Sequence, residues 1–144
     1  MIKIICVGKI KENYLKDGIN DYLKRISKYH KISIIELPDS NIITEAVEIL
    51  KHIDTKDYII SMCIEGETLS SKELADKIDK TFITSPCITF IIGGSDGLTD
   101  EIKNKCNYRL SFSKLTYPHG LFRLILLEQI YRSFKILNNE TYHK

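Results

Sequence analysis

Five short apolar runs, rich in isoleucine, alternate along this chain with longer amphipathic stretches. A short apolar run between turn residues is typical of a buried strand, and strands that alternate with helices need crossover connections. The predicted strands cover Ile2–Val7, Ile32–Leu37, 58–63, Ile88–Ile92 and, more weakly, Tyr108–Ser111. The sequence therefore predicts an α/β fold, with a mostly parallel sheet covered by helices on both faces. Residues 1–144 are expected to form a single domain, since no linker or repeat divides them.

The intervening stretches carry apolar residues at three- and four-residue spacing, which predicts helices over 12–29 and 44–53. Ser70 with Glu73 three residues later is a capping-box signal for a helix that ends near residue 81. The last predicted helix, 121–137, is apolar around nearly its whole circumference. Because the sheet of so small a chain covers only one side of that helix, we expect the other side to pack on a second copy in a homodimer.

Arg123, Glu128 and Arg132 are charged residues of this otherwise apolar helix. Glu128 and Arg132 have the i,i+4 spacing of an ion pair, and we expect them to pair within the chain or across subunits. Arg123 is expected either to pair in the same way or to bind a substrate phosphate. Burying such a group without a partner is costly, so each of the three needs one.

Composition limits the location and the partners of the protein. Twenty-one basic against nineteen acidic residues give a net charge of only +2, which allows an RNA partner but does not argue for one. No apolar stretch approaches a bilayer-spanning length, and the N-terminal run lacks the features of a signal peptide. The widely spaced cysteines are typical of reduced thiols, and we predict a cytoplasmic protein without a metal site. These cysteines are Cys6, Cys63, Cys87 and Cys106.

A glycine-rich loop, 93–98, follows the strand Ile88–Ile92. Glycines after a strand in an open α/β sheet let the backbone approach a ligand that side chains would block. The pattern matches neither the dinucleotide fingerprint nor the phosphate-binding P-loop, so a plain tight turn and an adenosine-binding loop remain equally good interpretations. Asp96 and Asp100 fit structural roles in a turn and at a helix N-terminus.

A second loop, 111–119, mixes apolar and polar residues in a way that suits the enclosure of a purine. His119 lies at its end and has either a structural or a chemical role. The chain closes with Tyr142, His143 and Lys144, which by default would be a frayed terminus. An aromatic ring beside a titratable ring and a cation also suits recognition of single-stranded RNA. The two loops and the tail are expected to converge on one site.

Four segments together resemble the RlmH-type methyltransferases of the SPOUT class: 90–98, 113–119, 123–132 and 142–144. The resemblance extends over the whole chain. It implies an enzyme that uses S-adenosylmethionine to methylate N3 of a pseudouridine in 23S ribosomal RNA, and a C-terminal half tied in a trefoil knot. Gly120 stands where relatives commonly carry a larger residue, next to the expected mouth of the pocket.

The resemblance also implies a set of site residues. The cofactor contacts map onto Met62, Gly93, Phe112, Ser113, Lys114, Leu115, Thr116 and Tyr117. The family usually has leucine at the position of Met62, a change that conserves volume. Transfer from a sulfonium requires no metal, but the imide N3 needs a base or a stabiliser of its anion. The candidates are His143 first and His119 second, with Arg123 and Lys144 as anion partners and Tyr142 for stacking or positioning.

The small charge and the lack of an appended RNA-binding domain imply that recognition depends on the dimer and on a pre-shaped target, the assembled ribosome. Two alternatives from other classes stay open on the sequence. One is a non-enzymatic ribosome-binding factor on the same fold. The other is a nucleotide-dependent enzyme on a flavodoxin-like sheet, which the missing phosphate loop disfavours.

Overall fold

The computed structural model describes all residues, 1–144, as five strands and five helices in alternation. The strands are β1 (Ile2–Val7), β2 (Ile32–Leu37), β3 (Tyr58–Thr68), β4 (Ile88–Ile92) and β5 (Tyr108–Ser111). The helices are α1 (Asn13–Ser27), α2 (Ile42–Lys51), α3 (Ser71–Thr84), α4 (Asp100–Lys105) and α5 (His119–Leu137). Every predicted strand except the third has its predicted bounds.

Side-chain caps fix where α2 and α3 begin. The Asn41 side chain accepts a hydrogen bond from the Thr44 amide at 2.8 Å, so α2 starts earlier than the apolar spacing predicted. The predicted capping box of α3 is confirmed: Ser70 Oγ accepts from the Glu73 amide at 3.1 Å, and Glu73 accepts from the Ser70 amide at 2.8 Å. That helix continues to Thr84, beyond the predicted end near residue 81.

All strands are parallel, in the order β2-β1-β4-β3-β5, which confirms the predicted α/β class. Alternate strand residues face two separate cores. The larger core holds Ile4, Ile60 and Phe90 and is covered by α1, α3 and α5, while the smaller holds Ile5 and Ile91 and is covered by α2 and α4. Helices therefore lie on both faces of the sheet, as predicted. The C-terminal trefoil knot stays a prediction of the resemblance.

The third strand is longer than predicted because it continues after an irregularity. Leu110 of β5 pairs with Met62 and again with Glu67, so residues 63–66 of β3 form an excursion out of the ladder. A Cβ on Gly66 would lie 2.8 Å from the backbone of Arg109, so only glycine allows the strand to return to β5 there. The excursion allows three consecutive side chains, Cys63, Ile64 and Glu65, to form the rim of a cleft.

The last helix is more enclosed within one chain than the sequence suggested. Leu126, Leu127 and Ile130 are fully buried against the sheet, and α1 and α3 pack along the two flanks of α5. The expectation that only the sheet covers this helix is therefore wrong, because it ignored the neighbouring helices on the same face. Leu121 nevertheless stays 38% exposed and Ile125 half-buried on the outer side. No helix of the chain is long and apolar enough to cross a membrane.

Candidate functional site

A cleft of about 240 Å³ opens at the carboxyl ends of β3, β4 and β5. All the cofactor contacts that the resemblance implies, except Lys114, line this cleft. These residues are Met62, Gly93, Phe112, Ser113, Leu115, Thr116 and Tyr117. His119 and Phe122 from the first turn of α5 complete the wall on that side. The two loops singled out in the sequence therefore do converge.

The topology explains why the cleft forms there. The connection that leaves β4 runs to α4 on one face of the sheet, whereas those that leave β3 and β5 run to α3 and α5 on the other. Connections that diverge to opposite faces leave a crevice at the carboxyl ends of neighbouring strands, which is where open α/β sheets bind ligands.

Main-chain atoms form the wall of the cleft at the glycine loop. A Cβ on Gly93 would lie 2.6 Å from the carbonyl oxygen of Gly97, a distance that side chains do not tolerate. The Gly97 amide donates to the carbonyl of Gly94 at 3.0 Å, and Gly97 has a φ of +77°. The loop is thus a tight turn whose backbone faces the cavity, and the turn and ligand-loop interpretations are compatible.

Three hydrogen bonds shape the second loop. Ser111 Oγ donates to the Ser113 carbonyl at 2.9 Å, and Ser113 Oγ accepts from the Leu115 amide at 3.0 Å. Ser113 Oγ also lies 2.9 Å from the Tyr117 hydroxyl. The Phe112 ring packs against Phe122 at 5.4 Å between centroids. The loop is therefore held in one shape with Leu115, 69% exposed, at its tip.

The β3 excursion supplies a charged rim that sequence reasoning missed. Glu65 and Lys103 both line the cleft and form an ion pair across it. The hydrogen bond from Lys103 lowers the pKa of the Glu65 carboxyl. Cys63 lies beside them in the lining, and burial raises the pKa of its thiol. The isolated glycine at position 66 was the available signal of an irregular strand.

Arg123 does not reach the cleft. Its side chain is 2% exposed, its Nη1 donates to Glu36 at 2.7 Å and its Nη2 to the Gly8 carbonyl at 3.1 Å. Of the two roles left open by the sequence, the structure shows internal pairing. Gly120 also faces inward, with Leu15 and Ile10 within 3.0 Å of a Cβ built there. Gly120 does not line the cleft, and its small size makes room for the side chains of Ile10 and Leu15.

The C-terminal tail folds back on the far end of α5. Nη1 of Arg132 lies 3.0 Å from Nδ1 of His143, and the Tyr142 hydroxyl donates to Glu128 at 3.4 Å. Burial, followed by a hydrogen bond with Tyr22 and the charge of Glu128, raises the pKa of Tyr142 to about 12. The predicted Glu128–Arg132 ion pair is confirmed at 2.6 Å.

Within one chain the tail and the cleft are separate. Arg132 lies thirteen residues after His119 on α5, about 20 Å along the axis at 1.5 Å per residue. The expected convergence of the tail with the two loops does not occur within one chain, because α5 spans the molecule between them. Among the four histidines, His119 alone lines the cleft. No cluster of three or more potential metal ligands is present.

Comparisons with known proteins agree with this architecture. Residues 1–143 match a family model described as a predicted SPOUT methyltransferase. The chain is 48% identical to the ribosomal RNA large subunit methyltransferase H of Clostridium botulinum (strain 657 / Type Ba4), over 99% of both chains. It is 50% identical to a putative protein of the same name from Methanococcus maripaludis, again over 99% of both. A probable methylase family protein from Haemophilus influenzae shares the fold, with a TM-score of 0.61 and 15% identity over 99% of this chain and 70% of that one.

Proposed function

The chain belongs to the SPOUT methyltransferase family, and from this premise we propose that it is an S-adenosylmethionine-dependent methyltransferase of large-subunit ribosomal RNA. The proposed target atom is N3 of a pseudouridine in the 23S RNA. One observation carries the proposal: the cleft at the diverging connections is lined by all but one of the residues that the resemblance assigns to the cofactor.

The residues of the cleft fit that cofactor. At Gly93 the wall is bare backbone, because a Cβ there would collide with the Gly97 carbonyl, and Met62, Phe112 and Leu115 offer apolar and aromatic surface to a purine. When bound, S-adenosylmethionine supplies an electrophilic methyl group on a sulfonium, so the reaction needs no metal. The amides and carbonyls of 93–98 and 112–117 would hold it, and the Ser113 hydrogen bonds keep the second loop in place.

The cleft of a single chain contains only part of the set of groups proposed to act on the reacting nitrogen. Deprotonation of an imide needs a base or a stabiliser of the anion within hydrogen-bond reach. His119 is the histidine at the cleft, while His143, Tyr142 and Lys144 lie about 20 Å away on the same chain. We therefore propose a homodimer in which the tail of one subunit completes the cleft of the other. The partly exposed Leu121 and Ile125 on α5 support such a contact.

The roles of the candidates follow from their positions. His143 is the proposed catalytic histidine and Tyr142 stacks or positions the base, whereas Lys144 offers a cation to a phosphate. His119 borders the reaction site from the cleft side. Arg123 has no direct part, because it is buried in its pair with Glu36. The net charge of +2 gives little general attraction to RNA, so we propose that the substrate is the assembled ribosome in the cytoplasm.

Two measurements test the proposal. Calorimetric titration should show saturable binding of S-adenosylmethionine, and its absence would favour a non-enzymatic ribosome-binding factor. Methyl transfer to ribosomes that lack the modification should be lost by about 100-fold or more in His143→Ala, with cofactor affinity unchanged.

Mixing experiments test the shared site. Exchanged dimers of His143→Ala with a cleft-defective variant such as Gly93→Ala should recover about a quarter of wild-type activity, since half the dimers are mixed and each has one intact site. No recovery would contradict a site built from two subunits. A fully active monomer would contradict it as well.

A further inference from the structure

The contact between Arg132 and His143 fixes which nitrogen of the imidazole carries a proton. Nη1 of Arg132 lies 3.0 Å from Nδ1 of His143. A guanidinium has five N–H donors and no acceptor, and it stays charged in proteins, so Nδ1 must be the acceptor. A neutral imidazole has one protonated and one unprotonated nitrogen. In neutral His143 the proton is therefore on Nε2.

Arg132 is itself held in place from several sides. Its Nη2 lies 2.6 Å from Glu128 Oε1, and its Nε donates to the same oxygen at 2.8 Å. The guanidinium carbon lies 4.8 Å from the centre of the Tyr142 ring. The hydrogen bond with Glu128 is the main reason that the pKa of Arg132 is raised. Nη1 is thus the nitrogen of Arg132 that remains available to donate to His143.

The other ring nitrogen is free. Nε2 of His143 makes no hydrogen bond within the chain, and it is not among the buried atoms without a partner. It therefore faces solvent as a donor without an acceptor. The charged groups around the ring are Arg132 and Glu128 of α5 and the neighbouring Lys144, while Tyr142 and Tyr22 are the adjacent phenols.

Resting on the function proposed above, we infer that Arg132 is a positioning residue that presents His143 to the RNA as a hydrogen-bond donor through Nε2, and not as a base. When N3 of the imide loses its proton, the negative charge spreads to the two flanking carbonyl oxygens. A donor at one of these oxygens stabilises that charge. The N3 proton passes to water, the methyl–nitrogen bond forms, and the sulfur keeps the electron pair of the methyl–sulfur bond that breaks.

Two substitutions of His143 separate donor from base. The amide NH₂ of His143→Gln reaches about as far as Nε2 and can donate there, whereas that of His143→Asn ends near the position of Nδ1. Neither amide takes up a proton at neutral pH. We expect the glutamine variant to keep kcat within about tenfold of wild type and the asparagine variant to lose about 100-fold or more. Equal, large losses in both variants would mean a base and would overturn the inference.

Arg132 is tested by its coupling to His143. Arg132→Met should lower kcat by about tenfold or more in the wild-type background and by much less beside His143→Asn, because its effect acts through the ring. Additive losses would indicate a merely structural role. Arg25→Met is the matched control, since Arg25 lies 5.6 Å from the Tyr131 ring but makes no contact with His143. Its activity should equal that of wild type.

A spectroscopic measurement needs no substrate. Long-range ¹H–¹⁵N correlation spectra of the protein should show neutral His143 protonated on Nε2, and a signal from the Nδ1-protonated form would contradict the inference. All variants should bind S-adenosylmethionine as wild type does. If wild type fails to bind the cofactor or to methylate ribosomes, the proposed function is wrong. If wild type is active but glutamine and asparagine behave alike, only the role of Arg132 and His143 is wrong.

Discussion

The two ends of α5 adjoin different kinds of structure. At its first residue the cleft is formed by glycine backbone and by a loop that three hydrogen bonds hold in shape. At its other end the tail is held by the charged pair Glu128–Arg132 and by aromatic rings. The ring centroids of Tyr142 and Tyr131 lie 5.0 Å apart. The glycine-loop wall of the cleft therefore depends on the absence of side chains, and the tail depends on their presence.

This difference separates the tasks of binding and reaction. A main-chain wall recognises a ligand by shape and needs no charge that must be desolvated. A network of ion pairs and rings instead fixes the direction of hydrogen bonds on a segment that would otherwise fray. Substitutions at the two ends are thus expected to affect different steps.

The largest expected effect is on the cleft. Gly93→Ala places a Cβ 2.6 Å from the Gly97 carbonyl oxygen, which is a backbone atom and does not yield as the end of a flexible side chain would. Affinity for S-adenosylmethionine should fall by about 100-fold or more, as measured by calorimetry. Asp96→Ala is the control in the same loop, because Asp96 is exposed and does not line the cleft. Equal losses in both variants would contradict a specific requirement at Gly93.

A smaller effect tests the part of the cleft that does rely on a side chain. Ser113→Ala removes the acceptor of the Leu115 amide and the partner of the Tyr117 hydroxyl. Loss of such bonds costs about 1.4 kcal/mol, and cofactor affinity should fall about tenfold. Tyr117→Phe leaves the Leu115 bond intact and should lose less. If Ser113→Ala binds as well as wild type, packing rather than hydrogen bonding holds the loop.

The smallest effect is a pH response at the tail. The pKa of Tyr142 is raised to about 12, chiefly by burial, so the folded tail favours the neutral phenol. Its contribution to stability is complete below about pH 10, the value of an unperturbed tyrosine, and is lost as the pH rises through about 12. Phenolate absorbance of wild type minus that of Tyr142→Phe should show no ionisation of Tyr142 at pH 10. A midpoint near 10 would mean that the tail is not packed.

The strands were predictable from the sequence because each contains a run of apolar residues. It missed the second half of β3, where Glu65, Gly66 and Glu67 interrupt the pattern and pairing with β5 restores the strand. That pairing joins residues more than forty positions apart, so no local pattern shows it. The strand order and the Glu36–Arg123 pair were missed for the same reason, since the paired residues are 87 positions apart.

The candidate site was predictable where short continuous segments of the sequence form it. Each of the two loops is one continuous segment, and they follow β4 and β5, whose carboxyl ends lie at the same edge of the parallel sheet on either side of β3. Their convergence at that edge therefore follows from the class of fold. The position of the tail within its own chain was not predictable, for the opposite reason. Its position depends on contacts with Glu128 and Arg132, whose pairing was predicted but whose direction was not.

The single helix that joins the cleft to the tail also sets the spacing between them. Each inserted residue would lengthen α5 by about 1.5 Å and turn everything beyond it by about 100°. An insertion before Glu128 would leave the contacts of Arg132 with Glu128 and His143 intact but would turn this whole end of α5 away from its partners on α1, however well the new residue packed. We therefore expect this segment to accept many replacements of one amino acid by another, but no gain or loss of a residue between the cleft and the tail.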